Sequence, residues 1–123
     1  MINVLFTGRL ATDPDMKTTA NGTAVCTFRV AVTRRYKKDG EPAADFFTCV
    51  AWRKNAEYIA QYFTKGRMIA ACGTMQNREW TDKNGVKRVT TEIIIDRAEP
   101  CDSRPRSDEE YPVIEVSSED LPF

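Results

Sequence analysis

The sequence of 123 residues contains no histidine, and its four cysteines lie far apart. No two cysteines form a Cys-x-x-Cys pair, so the ligand sets of common zinc sites are missing. Without histidine, general acid-base chemistry would fall to carboxylates, lysine or cysteine, and most acidic residues of the body are isolated. We therefore expect no metal, no cofactor and no enzymatic activity.

Long apolar segments are also missing. No run of eighteen apolar residues occurs, and residues 1–6 lack the basic start and long apolar stretch of a signal peptide. We therefore expect neither a membrane span nor export, and we predict a cytoplasmic protein. Cys26, Cys49 and Cys72 each stand inside an apolar run, which favours reduced thiols in a core.

The absence of net charge hides an asymmetry along the chain. Residues 1–99 hold 16 Lys and Arg against 11 Asp and Glu, a net +5, whereas residues 100–123 hold 2 against 7, a net −5. The basic body has the size of one domain and the charge of a protein that meets polyanions. The tail, residues 100–123, is too polar to offset its ordering entropy, so we predict an acidic, disordered segment.

Asp45 to Lys54 is the most informative stretch of the chain. Its β-branched, aromatic and small residues predict a strand, whose side chains alternate between two faces. The small face suits the interior of a narrow barrel, while the bulky face presents two aromatic rings. The bulky face holds Phe46, Thr48, Val50 and Trp52, and the small face holds Phe47, Cys49 and Ala51.

Aromatic and basic residues are interleaved at three places, the first of which is Trp52 followed by Arg53-Lys54. An aromatic residue in a strand is most often part of a core, but Tyr36 lies between Arg34-Arg35 and Lys37-Lys38, and Trp80 follows Arg78 closely. Rings stack on bases and cations attract phosphates, so this pattern predicts a site for single-stranded nucleic acid. The predicted stacking residues are Tyr36, Phe46, Trp52 and Trp80, and the predicted phosphate contacts are Arg34, Lys37, Arg53, Lys54, Lys65 and Arg78.

The order of predicted elements indicates an all-β fold. Apolar alternation predicts strands near residues 2–10, 23–33, 45–54, 67–80 and 87–96, and a period change predicts one short helix over 55–65. Asn84-Gly85 marks a hairpin between the last two strands. Five strands with one helix between strands 3 and 4 fit an OB-fold Greek-key barrel.

The chain ends in an apolar pair beside carboxylates: Asp120, Leu121, Pro122 and Phe123. A solvated tail has no need of Leu and Phe at its tip. We interpret these four residues as a ligand for a basic-rimmed hydrophobic pocket on a partner protein. The alternative is a tip without function.

Several stretches together resemble bacterial-type single-stranded DNA-binding proteins, of bacterial or phage origin. They are Val4 to Leu10 with Asp13-Pro14, Asn21-Gly22, Asp45 to Lys54, Trp80 to Asp82, Thr90 to Glu92, and the tip Asp120 to Phe123. The resemblance implies a homotetramer of OB folds that binds single-stranded DNA without strong sequence preference. It also implies a nucleoid-associated protein whose tip recruits replication, recombination and repair proteins.

The sequence departs from that resemblance at two positions of the predicted site. Thr48 stands where some members have Arg between two stacking rings, and Glu79 adjoins Trp80 where a second basic residue is common. The tail also lacks the Gly- and Gln-rich linker of many relatives, which shortens its reach. An RNA-binding module, or an OB-fold interaction module whose aromatic residues form an interface, is the alternative function.

Overall fold

The computed structural model describes residues 1–101, which form six strands and one helix. The predicted disordered tail begins at residue 100, but Pro100 is the last residue of the final strand, and residues 102–123 lie outside the described residues. No helix within residues 1–101 is long and apolar enough to cross a membrane. The elements are β1 (Asn3–Leu10), β2 (Asp15–Thr18), β3 (Ala24–Thr33), β4 (Ala44–Trp52), α1 (Lys54–Tyr62), β5 (Met68–Thr81) and β6 (Lys87–Pro100).

The strands close into the predicted Greek-key barrel. Their order is β1-β5-β6-β4-β3-β2, and β1 pairs with β3 as well, which closes the sheet on itself. All pairings are antiparallel except that of β4 with β6. The five-stranded barrel with one helix after its third strand is confirmed. The structure adds one short strand, β2, which pairs with β3 and was not among the five predicted strands.

The barrel consists of two halves joined by short seams. β3 and β4 share nine register pairs and β5 and β6 share thirteen, so each half is a well-bonded ribbon. Between the halves, β4 meets β6 at three pairs, from Thr48–Glu92 to Val50–Ile94, and β1 meets β3 at two. The two seams therefore carry far fewer backbone hydrogen bonds than the ribbons.

The core is built from the inward face of each strand and one face of α1. On β3 the alternation buries Cys26, Phe28 and Val30, as the sequence predicted. The helix adds Ala56 and Ile59, and Phe63, which follows the helix in extended conformation, completes the face. The helix ends at Tyr62, three residues before the predicted end. Each large apolar side chain buried here contributes about 1.5–3 kcal/mol.

Cys26, Cys49 and Cys72 are free thiols, and Cys26 and Cys49 are buried as predicted, whereas Cys72 is only partly buried. Cys26 and Cys49 have no exposed surface. Burial raises the pKa of Cys26 to about 11, with a smaller contribution from Asp15, and raises the pKa of Cys49 to about 12. Both therefore remain protonated at neutral pH and pack as small apolar groups.

A bulge at Gly73 lets β5 and β6 continue past the barrel. Cys72 pairs with Arg97 and Gly73 with Ile95, so Asp96 has no partner on β5. A Cβ atom at Gly73 would overlap the carbonyl oxygen of Ile94, so only glycine fits this close approach. The side-chain amide of Asn55 donates to the carbonyls of Ile95 and Asp96, 3.2 Å away in each case, and ties the start of α1 to the bulge.

Candidate nucleic-acid interface

A shallow groove of about 460 Å³ runs along the outer face of the barrel and crosses the β4–β6 seam. One wall comes from β3 and β4, and the other comes from β5 and β6. Both polar and apolar side chains line it, which gives an open surface with both stacking area and hydrogen-bonding groups. The lining residues are Val25, Thr27, Thr48, Val50, Trp52, Gln76, Arg78, Thr90, Glu92 and Ile94.

Two predicted stacking residues lie on the groove side of β4. Phe46 is 53% exposed and Trp52 is 41% exposed, and both stand on the same face as Thr48 and Val50. Six residues of strand place these rings roughly 20 Å apart. The two rings therefore remain accessible, although Val50 between them is buried, and the interpretation of these rings as core is wrong for residues 1–101.

The opposite face of β4 is only partly interior. Cys49 and Ala51 are fully buried, but Phe47 is 36% exposed. β4 meets β6 only from Thr48 to Val50, so the strand runs past the barrel before Thr48 and leaves Phe47 at the rim.

Trp80 lies on the extension of β5 beyond the bulge. The alternation of β5 puts Trp80 on the same face as Gln76 and Arg78, and its ring is 41% exposed. The indole Nε1 donates to Thr90 Oγ1 at 2.8 Å, which fixes the edge of the ring and leaves its π-face free for stacking.

The turn beyond Trp80 is held by one carboxylate. Asp82 Oδ1 accepts from the backbone N–H groups of Asn84 at 2.9 Å and Val86 at 3.0 Å, and Oδ2 accepts from Arg88 Nε at 2.9 Å. The hydrogen bond from the Val86 backbone, followed by that from Arg88, lowers the pKa of Asp82. An ionised Asp82 therefore stabilises the turn between β5 and β6. We call the end of this ribbon, residues 78–90, the Trp80 arm.

Tyr36 lies on the loop between β3 and β4, and 81% of its surface is exposed. The base of this loop is closed by Arg34, which donates to Asp45 through Nε at 2.9 Å and through Nη2 at 2.7 Å. Arg34 Nη1 also lies 3.8 Å from Glu41. The hydrogen bonds and charge of Arg34 lower the pKa of Asp45, so two carboxylates compensate this guanidinium.

Arg78 is likewise paired. Its Nε donates to Glu92 Oε2 at 2.9 Å, and Glu92 is the charged side chain that lies buried beneath the groove. The Arg78 side chain is 54% exposed, so its remaining N–H groups face solvent. The hydrogen bond restricts the orientation of the guanidinium, and the negative charge of Glu92 offsets its positive charge.

The other predicted phosphate contacts are exposed but not all close to the groove. Arg53 and Lys54 line a second cavity of about 560 Å³ that Trp52 also borders, so they extend the site beyond the end of β4. Lys37 is exposed on the loop of Tyr36. Lys65 is exposed past the end of α1, where its backbone N–H donates to Asp13, and it belongs to neither cavity.

Comparison with known proteins assigns this sequence to a family. Residues 1–101 match the Single-strand binding protein family. The chain belongs to this family. The family match covers every described residue, and the OB barrel is the fold it implies.

Relatives in this family share about two fifths of the sequence. A single-stranded DNA-binding protein of Clostridium tetani is 45% identical over 97 residues, which covers 78% of this chain and 67% of that protein. One of Enterococcus faecalis is 39% identical over 108 residues, covering 87% and 57%. A third, of Clostridium acetobutylicum, is 42% identical over 100 residues, covering 80% and 69%. The match thus spans between about half and two thirds of these relatives' lengths.

Two residues of this face did not stand out in the sequence. Arg29 projects from β3 with its guanidinium 5.4 Å from the centroid of Phe46, and Glu92 lies under Arg78. The alternation of β3 places Arg29 on the outer side, but its neighbour Phe46 comes from the next strand and is known only from the register. The tip Asp120 to Phe123 lies outside the described residues, and its predicted role stays a prediction.

Proposed function

We propose that this chain binds single-stranded DNA without strong sequence preference, by stacking bases on Phe46, Trp52, Trp80 and Tyr36. The single observation that carries the proposal is the exposure of Phe46, Trp52 and Trp80, each between 41% and 53%, on the strand faces that form or extend the groove, with Tyr36 81% exposed on the neighbouring loop. Every base has a π-face, so stacking on rings is tolerant of sequence. The names of the relatives, single-stranded DNA-binding proteins, support the same assignment.

Cations around the rings supply the attraction for the backbone. Arg53 and Lys54 border Trp52, Lys37 neighbours Tyr36 along the chain, and Arg78 stands in the groove. Phosphate neutralisation releases counterions, so the affinity falls as salt rises, by about 0.7 in the logarithmic slope for each phosphate contact. Arg34 and Lys65 are weaker contacts in this proposal, since Arg34 is paired with carboxylates and Lys65 is remote from the groove.

In this proposal, binding by the protein protects the single strand of DNA. A strand whose bases are stacked on protein cannot re-pair, and the proposed function needs no chemistry on the DNA. We assign residues 1–99 to DNA binding and residues 100–123 to an acidic tail that recruits replication, recombination and repair proteins through Asp120 to Phe123. This places the protein in the cytoplasm, with the nucleoid.

We also propose that the chain assembles as a homotetramer. β1 pairs with β5 along Asn3–Arg9 but meets β3 only at Arg9 and Leu10, so most of its second edge has no strand partner within residues 1–101. Leu5 on this strand is 82% exposed. A free edge beside exposed apolar side chains is a surface that another copy can pair with. Light scattering with and without oligo-dT measures the assembly, and a monomer at micromolar concentration would contradict it.

Tryptophan fluorescence tests the binding proposal. The chain has two tryptophans, Trp52 and Trp80, and both are proposed to stack. Titration with oligo-dT should quench the emission in proportion to occupancy, and Trp52→Phe and Trp80→Phe variants separate the two signals. Unchanged emission with no binding by a second method would overturn the proposal. Tighter binding of oligo-rU than of oligo-dT would contradict the assignment to DNA.

Deletion of Asp120 to Phe123 tests the tail. We expect the affinity for oligo-dT to stay equal or to rise slightly, because the removed segment is acidic, while recruitment of partner proteins is lost. A large loss of affinity for DNA would contradict this division of roles.

A further inference from the structure

Arg29 stands on the face that carries the proposed DNA site. It belongs to the exposed set of β3 side chains, and its register partner on β4 is Thr48. Val25 and Thr27, on the same face of the same strand, line the groove. Thr48 brings no cation to the centre of β4, and its two register partners are Arg29 on β3 and the acidic Glu92 on β6, so Arg29 supplies the positive charge among these three residues.

The Arg29 side chain covers a proposed stacking ring. Its Cζ lies 5.4 Å from the centroid of Phe46, a cation–π distance, and the ring is 53% exposed. In the absence of nucleic acid, the guanidinium thus occupies part of the surface on which a base would stack.

The charge of Arg29 is not compensated by any carboxylate within residues 1–101. Arg34 is paired with Asp45 and Glu41, and Arg78 is paired with Glu92. The hydrogen bonds of Arg29 with Thr12 and Ala11 are made by its backbone. Its N–H donates to Thr12 Oγ1 at 3.1 Å, and its carbonyl oxygen accepts from the N–H of Ala11 at 2.7 Å. Its five side-chain N–H donors therefore remain available to an anion.

We propose that Arg29 is a further DNA-binding residue that acts together with Phe46. When a base stacks on Phe46, the guanidinium leaves the ring and binds the phosphate of the same nucleotide. Base–aromatic stacking is stronger than an exposed cation–π contact, so the base displaces the guanidinium from the ring. A guanidinium fits phosphate with two parallel hydrogen bonds, which gives it a new partner as it moves. This inference rests on the proposed function.

The test compares two arginine variants that lose the same charge. Arg29→Gln removes the proposed contact, and Arg97→Gln is the control, because Arg97 is exposed and paired with Glu99 on the part of β6 opposite Cys72, away from the groove. Binding of oligo-dT is measured between about 0.05 and 0.5 M salt. For Arg29→Gln we expect a roughly tenfold weaker affinity at low salt and a logarithmic salt slope lower by about 0.7 per protomer. Arg97→Gln should match the unsubstituted protein.

A third variant separates charge from shape. Arg29→Lys keeps a cation, so the salt slope should return while the affinity recovers only in part, because lysine lacks the planar fork. Thermal melting of each variant verifies that it is folded. If Arg29→Gln is unfolded, the affinity and salt slope of Arg29→Lys provide the test instead. If Arg29→Gln behaves as Arg97→Gln, or binds more tightly because the ring is uncovered, the inference is overturned. Failure of the unsubstituted protein to bind oligo-dT would instead overturn the proposed function itself.

Discussion

Arg34 and Asp45 form two parallel hydrogen bonds, at 2.9 and 2.7 Å, across the base of the loop that carries Tyr36. The pair joins the residue that follows β3 to the second residue of β4, and it places one predicted phosphate contact in an ion pair. Asp45 therefore closes the loop through Arg34 but lowers the positive potential beside Tyr36. A substitution at Asp45 shows which of these two effects matters more for DNA binding.

Asp45→Asn should strengthen DNA binding at low salt. The variant removes a negative charge from the rim of the site and releases part of the Arg34 guanidinium, while the amide oxygen still accepts one hydrogen bond. We expect the Kd for oligo-dT to fall roughly threefold at about 0.05 M salt, the scale of one exposed charge interaction, with the gain lost at high salt. Glu99→Gln is the control for the charge change. Weaker binding by Asp45→Asn alone would mean that loop closure outweighs the potential.

Phe46→Ala and Phe47→Ala form a matched pair of adjacent substitutions on opposite faces of β4. Phe46 faces the groove side, whereas Phe47 lies at the barrel rim. Loss of one stacking ring should cost about 1–3 kcal/mol of binding free energy, so Phe46→Ala should weaken oligo-dT binding at least fivefold. Phe47→Ala should leave the affinity within twofold. If fluorescence anisotropy shows that both variants lose the same affinity for oligo-dT, the assignment of the Phe46 face of β4 to DNA binding is wrong.

Gly73→Ala should destabilise the fold through a clash. Its Cβ would overlap the Ile94 carbonyl at the bulge, and relief requires movement of the β5–β6 backbone. We expect a loss of at least about 2 kcal/mol in the free energy of unfolding, measured by urea denaturation. Gly85→Ala is the comparison, because Gly85 has φ of 79° but no atom within 4 Å of the place that a methyl group would take, so only backbone strain of about 1–2 kcal/mol applies. A smaller loss at Gly73 than at Gly85 would contradict this account.

Asp82 should make the stability of the Trp80 arm depend on pH in the acid range. Its pKa in the folded protein is lower than its ordinary value of about 3.9, so its contribution is complete above that value and is lost as the pH falls through the folded pKa. Asp82→Asn should therefore reduce the urea midpoint at pH 6, and the difference from the unsubstituted protein should shrink below about pH 4. A difference that stays constant down to pH 2 would show that the charge of Asp82 is unimportant.

Local patterns were sufficient to predict much of this molecule. The alternation of β3, the two faces of β4 around Thr48 and the hairpin at Asn84-Gly85 depend on near neighbours in the chain, and the structure has each of them. Exposure of Phe46 and Trp52 followed from the alternation of β4, whose opposite face is mostly small, whereas Trp80 was predicted from its basic neighbour Arg78.

Relationships between strands could not be predicted in the same way. The pairing of Arg34 with Asp45, the position of Arg29 over Phe46 and the burial of Glu92 under Arg78 each join residues that are 11 to 17 positions apart. Their proximity depends on which residues face each other across the sheet, and a one-residue change of register would reverse every side chain. Hydrophobic periodicity contains no information about which carboxylate will compensate which cation.

The groove crosses the β4–β6 seam, where only three register pairs join the two ribbons. Trp52 lies on the β3–β4 ribbon and Trp80 on the β5–β6 ribbon, so the spacing of the two indoles is set across this seam and not within either ribbon. The relative placement of the two proposed stacking rings therefore depends on those three pairs.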